Sequence, residues 1–326
     1  MTFLLIYNNF NLEVIPDWRS AAMEDIIIVG SGPSGLTAAI YLARAGYKPL
    51  VIDGSPPGTH AITAAQQLPI EGLESDPIAA MRHQASRYGA RFISGTVEQA
   101  RLQQQPFILT LSSGEIISAR SLIISTGASA KYMGIPGERE NAGHSVSHAS
   151  TRDGFFVQGR KLIEIDGNES ATEEAIFFTP FASEARLIHR RMEHRTRQLM
   201  QERARANPNI KWTMDVRPIE VIPGEIGLHG LKVAVNTTGV DQLLDPDGIL
   251  VAHGPAASCP LGWEPERDDQ GRIKVVPGTS ATSIPGVFAC GDVQDRLSSE
   301  GIDAAGSGCI AALDCEHFLA ALSPAA

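Results

Sequence analysis

Gly30, Gly32 and Gly35 stand at the spacing G-x-G-x-x-G, with Ser31, Pro33 and Ser34 between them, and the acid Asp53 closes the next apolar run beside Gly54. That set of residues suits a bound dinucleotide. The first glycine permits a tight turn, the second lets a pyrophosphate approach backbone N–H groups, and the third lets a helix pack closely on a strand. A carboxylate at the position of Asp53 accepts hydrogen bonds from an adenosine ribose. The residues suited to thiol chemistry are cysteines at 259, 290, 309 and 315. No two of them are three positions apart, so the chain contains no Cys-x-x-Cys.

The elements around these residues give the glycines their context. Asp25–Gly30 is a continuous β-branched run, which predicts a strand. Leu36–Ala45 predicts a helix stopped by Gly46, and Tyr47–Asp53 predicts a second strand. Two later segments, Leu122-Ile-Ile-Ser-Thr-Gly127-Ala128 and Ala289-Cys290-Gly291-Asp292, end strands in turns of small residues.

Composition narrows the class. A chain of 326 residues, 43% hydrophobic and 20% charged, is long enough for two domains. A net charge of −10 argues against nucleic acid as a partner, because phosphate binding needs a basic surface. Four cysteines are too few for a secreted disulfide scaffold, so a cytoplasmic location is expected, with peripheral membrane contact left open. No apolar run approaches the roughly 20 residues that a spanning helix needs. Residues 1–23 read as an extension before the first strand, with an apolar anchor or a dimer-swapping arm as alternatives; Phe3–Tyr7 lacks the basic leader of a signal peptide. No metal-ligand set is read from the sequence.

With Ile135-Pro-Gly-Glu138, Asp153-Gly-Phe-Phe156, Ser170-Ala-x-Glu-Glu-Ala175, His189-Arg-Arg191 and Ala304-Ala-Gly-Ser-Gly-Cys-x-Ala-Ala-Leu-Asp314, these motifs occur in one order. From residue 24 to about 321 the chain resembles the low-molecular-weight thioredoxin reductases. The resemblance implies an α/β fold of two nucleotide-binding domains, three-layer ββα or Rossmann-like, the second inserted in the first. The FAD domain is expected at 24–140 and 254–322, and the inserted NADPH-domain-like module at 141–253. It further implies a homodimer, and FAD contacts at Gly30, Ser31, Gly32, Pro33, Ser34, Gly35, Asp53, Gly54, Val97, Thr126, Gly127, Ala128, Gly291 and Asp292.

The chain departs from that pattern in four places. Asp166 and Asn168 stand where the first two glycines of the NADPH loop belong. At an effective dielectric near 20, two like charges ~4 Å apart repel by roughly 4 kcal/mol, close to a thousandfold in affinity, so NADPH is not expected to dock. The basic motif survives as Arg190, Arg191 and Arg195, which implies an anionic ligand, with a solvated helix face as the alternative. Ser147-His148-Ala-Ser-Thr-Arg152 occupies the place of the family's Cys-x-x-Cys. The loop Gly58–Gln67 and the pair Ser299-Glu300 also differ from the residues the family sets at the flavin.

The resemblance places Cys259 in the crossover back to the FAD domain and Cys290 beside the Gly291-Asp292 turn. They are the candidate redox pair; a disulfide needs Cα atoms within about 7 Å, and two inert buried thiols is the alternative. The losses together resemble the diflavin-linked disulfide oxidoreductases of oxygenic photosynthetic bacteria. The expected function is therefore an FAD oxidoreductase, not a conventional NADPH-thioredoxin reductase, with two FADs per chain and exchange between thiols and flavin. The second FAD would anchor at Arg190, Arg191 or Arg195, and the thiol or electron-carrier partner is left open. The alternatives are an NAD(P)H-dependent ferredoxin or flavodoxin reductase and a non-catalytic FAD-binding protein.

Overall fold

A computed structural model describes residues 4–5, 14–15, 23–54, 77–129, 132–142, 144–147, 157–165, 169–191, 198–225, 227–251, 256–257, 263–294 and 301–322. The chain divides into two compact units, residues 1–129 with 256–326, and residues 130–255.

The first unit opens with a two-residue antiparallel pair, β1 (Leu4–Leu5) and β2 (Val14–Ile15). Its main sheet begins with β3 (Met23–Val29), whose Ile26, Ile27, Ile28 and Val29 are buried. Such β-branched runs favour an extended strand, and burial of each side chain contributes about 1.5–3 kcal/mol. α1 (Pro33–Arg44) follows at once, with Pro33 in its first turn, where a missing N–H costs nothing. Next come β4 (Leu50–Asp53), α2 (Pro77–Tyr88), β5 (Arg91–Ser94), β6 (Val97–Arg101), β7 (Phe107–Leu111), β8 (Ile116–Ile124) and β9 (Ala128–Ser129).

The second unit contains α3 (Glu138–Asn141), β10 (Val146–Ser147), β11 (Lys161–Ile165), α4 (Glu169–Phe178), β12 (Glu184–His189), α5 (Gln198–Ala206) and β13 (Ile210–Met214). It ends with β14 (Val216–Pro223), β15 (Leu228–Val235), β16 (Asp241–Leu244) and β17 (Gly248–Val251). β10-β17-β11-β12-β13 form a parallel sheet, and β14-β15-β16 an antiparallel one. Within this unit the carboxylate of Glu138 accepts hydrogen bonds from the N–H groups of Met133 and Gly134, both at 2.8 Å, which gives Ile135-Pro-Gly-Glu138 a structural job.

The chain returns to the first unit through β18 (Ala256–Ala257), which pairs antiparallel with β9. β19 (Val287–Ala289) and α6 (Gly301–Leu322) complete it. The main sheet runs β5-β4-β3-β8-β7-β6, and β19 joins the late half of β8 in parallel while β7 pairs antiparallel with its early half. One face of this sheet carries a core around Leu109, Leu122 and Ile273; the other is covered by α1, α2 and α6, with Ile26, Ile28, Val51 and Phe288 packed beneath them. Among the described residues, no helix is long and apolar enough to cross a membrane.

Candidate functional site

β3, β4, β8 and β19 run parallel, so their C-terminal ends lie along one edge of the sheet. Ligands of open α/β sheets bind at that edge. Backbone hydrogen bonds tie the ends together: Gly30 N–H to Ile52 O at 3.0 Å, Ser125 N–H to Val29 O at 2.9 Å, and Cys290 N–H to Ile124 O at 3.0 Å. Gly30–Gly35, Asp53, Thr126 and Gly291-Asp292 are thereby brought together at the strand ends.

The three glycines of the first turn have separate physical reasons. Gly30 takes φ +109°, and a Cβ there would meet Ser125 O at 2.3 Å. A Cβ on Gly35 would lie 2.1 Å from Gly30 O, so only glycine lets α1 start this close to β3. Around Gly32, by contrast, a Cβ would meet nothing within 4 Å. Gly32 is the N-cap of α1 and makes no side-chain cap, leaving the N–H groups of the first turn directed at this open space. Ser125 braces the turn: its hydroxyl lies 2.9 Å from the carbonyl oxygens of both Val29 and Gly30.

α6 closes the far side. A Cβ on Gly308 would sit 2.0 Å from Ser34 O, so the two helices touch backbone to backbone. The Ser307 hydroxyl accepts the Gly291 N–H at 2.8 Å and donates to Ala304 O at 2.7 Å. Gly291 itself has φ +76°, in the left-handed region that favours glycine. Asp292 is half-buried in the following short 3-10 turn.

Among the described residues, two buried polar atoms at this edge have no hydrogen-bond partner, Asp53 Oδ1 and Thr126 Oγ1. Such atoms are costly unless a ligand satisfies them. Together with the open space at Gly32, they fit an adenine dinucleotide laid across the edge: N–H groups of α1 for the phosphates, Asp53 for the ribose, and Thr126 further along. Gly54 is exposed and Gly127 is left-handed at φ +68°. Val97 is buried in the core beneath the sheet's other face. Ala128 is buried where β9 pairs with β18.

The other candidate residues fare differently. Cys290 is fully buried at the end of β19, whereas Cys259 lies outside the described residues. Cys315, on α6, is buried, and burial pushes its thiol up to about 12; its sulfur lies 3.2 Å from Ser121 Oγ. Arg190 and Arg191 are exposed after β12, where Asn236 donates to Arg190 O at 2.9 Å and the Arg191 N–H donates to His189 Nδ1 at 3.1 Å. Arg195, Asp166, Asn168, His148, Gly58–Gln67 and Ser299-Glu300 lie outside the described residues.

Sequence reasoning missed three residues. Ser125 and Gly308 were legible in principle, since both sit within small-residue motifs. Arg82 gave no signal: it lies in α2 and its guanidinium is ion-paired with Asp53 Oδ2.

The fold and site thus define a two-unit α/β protein with a dinucleotide-binding edge on its first unit. Residues 24–308 match the model of the pyridine nucleotide-disulphide oxidoreductase family, and the chain belongs to that family. It is 39% identical over 308 residues to a thioredoxin reductase of Mycolicibacterium smegmatis, covering 92% of this chain and 98% of that one. It is 37% identical over 317 residues to a thioredoxin reductase of Dictyostelium discoideum, covering 92% and 98%. Among solved structures, a thioredoxin reductase of Streptococcus pyogenes MGAS5005 superposes with a TM-score of 0.81 at 29% identity, over 93% of this chain and 100% of that chain. The Giardia duodenalis thioredoxin reductase gives 0.79 at 28% identity, over 91% and 99%. The chain is therefore an FAD-dependent oxidoreductase with the thioredoxin reductase-type α/β fold.

These relatives correct one expectation. The departures at Asp166, Asn168 and Ser147–Arg152 pointed to a non-conventional diflavin enzyme, yet similarity to thioredoxin reductases extends over nine-tenths of the chain and supports a conventional thioredoxin reductase. The alternatives of a ferredoxin or flavodoxin reductase and of a non-catalytic protein fall with it.

Proposed function

We propose that the chain transfers electrons from a reduced pyridine nucleotide, through one FAD, to a protein disulfide of the thioredoxin type. The full-length similarity to thioredoxin reductases carries this reading. When bound, FAD supplies the two-electron chemistry, and the protein binds and orients it. N–H groups at the start of α1 would hold its phosphates, Asp53 its ribose, and the Gly291-Asp292 turn would lie beside it. A homodimer is part of the proposal; Ile302, Ile310 and Leu313 leave an exposed apolar stretch along α6 that suits a second copy.

The thiol half of the reaction is distinctive, because the chain has no Cys-x-x-Cys. Disulfide exchange then falls to cysteines outside such a motif, and we propose Cys290, at the flavin edge, with Cys259. The test separates the two halves. Anaerobic NADPH should bleach the flavin at one FAD per chain, and a thioredoxin-coupled disulfide assay should then show turnover that C259S and C290S abolish. Flavin that NADPH does not reduce would sink the donor; bleaching without turnover would sink the disulfide acceptor.

A further inference from the structure

The two oxygens of Asp53 are in different situations. Oδ2 is ion-paired with Arg82, and Oδ1 is buried without a partner. Arg82 belongs to α2, and its guanidinium carbon lies 4.2 Å over the centroid of the Phe92 ring on β5. In the parallel pairing of β4 with β5, Val51 is opposite Phe92 and Asp53 is opposite Ser94. Residues two apart on a strand share a face, so Phe92 and the Asp53 position lie on the same side of the sheet, facing α2. Arg82 crosses from the helix over Phe92 to the end of β4.

That crossing restrains the guanidinium twice, by its stack on the ring and by the carboxylate at its edge. A planar fork held in this way loses less freedom per interaction than a free side chain would. The Asp53 side chain is only 12% exposed, against 43% for Arg82. The carboxylate is therefore the sheltered partner, and it has one oxygen committed and one left over.

We infer that Arg82 is a positioning residue for the adenosine end of FAD: by holding Oδ2 it aims Oδ1 at the ribose. The inference rests on FAD lying across the Gly30–Gly35 turn. Without Arg82 the carboxylate can rotate, and ribose binding must select one orientation from several. The positive charge also offsets the carboxylate, so the edge that takes the dinucleotide phosphates carries less opposing charge.

FAD and FMN binding to the deflavinated full-length chain, followed by flavin fluorescence, tests this. FMN lacks the adenosine half and reports on everything else. R82M should weaken FAD by about tenfold, the worth of one well-placed charged hydrogen bond, and leave FMN unchanged. R82K should recover part of the loss. D53N should weaken FAD similarly, and adding R82M to D53N should cost little more, because Arg82 acts through Asp53. Wild-type FAD affinity in R82M would overturn the inference, as would loss of FAD and FMN in equal proportion, or full additivity with D53N. If R82M fails to fold, the ratio of FAD to FMN affinity in R82K decides. A wild-type chain that binds FAD no better than FMN would remove the FAD site itself, and a chain that binds FAD with R82M silent would remove only the role of Arg82.

Discussion

In the first unit β3 carries Ile26-Ile27-Ile28-Val29 into Gly30, and α1 starts against it; in the second, β11 carries Leu162-Ile163-Glu164-Ile165 into Asp166, and α4 follows. In both a helix follows a strand, and among the described residues both units leave buried polar atoms without partners. Their placement differs. Asp53 Oδ1 and Thr126 Oγ1 lie at strand ends, on the edge where a ligand arrives. Glu164, paired in register with Leu187 and Leu250 on the strands to either side, is fully buried, and neither of its carboxyl oxygens has a partner among the described residues. An unsatisfied group is thus informative by its position: at the edge it awaits a ligand, and within the sheet it is a standing cost of desolvation.

The largest effect should come from closing the first turn. Gly35→Ala would set a Cβ 2.1 Å from Gly30 O, a contact between backbones that no side-chain rotation relieves. We expect a loss of about 3 kcal/mol in urea unfolding and FAD content below a tenth of wild type. Wild-type flavin content in this variant would show that α1 can shift freely, and the tight first crossing would no longer explain the site.

Glu164 tests the other side of the comparison. Burial, and then the nearby Glu174, raise its carboxyl well above the ordinary value of 4.5. A group whose folded pKa is raised binds its proton more tightly folded than unfolded. Its contribution is fully present below about pH 4.5, and stability declines as pH rises from there through the raised folded value. Glu164→Val should stabilise the protein by about 2 kcal/mol near neutral pH and by less near pH 4, read from urea midpoints across that range. An equal gain at both ends would mean that Glu164 does not hold its proton. Next in size, Asp166→Gly should tighten NADPH by about tenfold in an anaerobic titration, less than the unscreened repulsion of two charges allows. No change would show that Asp166 faces away from the phosphates.

Legibility followed locality. The Gly30–Gly35 turn was readable because its constraint lies within six consecutive residues, and α1 (Pro33–Arg44) and β3 (Met23–Val29) fall within a few positions of the expected Leu36–Ala45 and Asp25–Gly30. The pairing of β9 with β18 gives no signal, because two alanine-containing pairs carry no pattern. Arg82 was invisible for a related reason: it meets Asp53 across 29 positions, through packing of α2 on the sheet. Glu164 gives no signal in the sequence, since periodicity gives the face of a strand but not whether both faces are covered. The functional expectation failed differently, because local departures such as Asp166 and Ser147 do not outweigh 39% identity to a thioredoxin reductase over 92% of the chain.

Thr126→Val gives the smallest effect and the sharpest contrast. The substitution keeps the branched shape and removes a buried hydroxyl that has no partner among the described residues. In the flavin-free chain that removal relieves a desolvation cost, so stability should stay level or rise slightly. With FAD present the same hydroxyl gains a partner, so the variant should bind FAD about fivefold more weakly. The two measurements move in opposite directions, which no loss of packing can imitate. Glu164→Val should also stabilise the flavin-free chain yet leave FAD affinity unchanged. If Thr126→Val likewise leaves FAD affinity unchanged, its hydroxyl is a second standing cost like Glu164, and the contrast between strand end and strand interior rests on Asp53 alone.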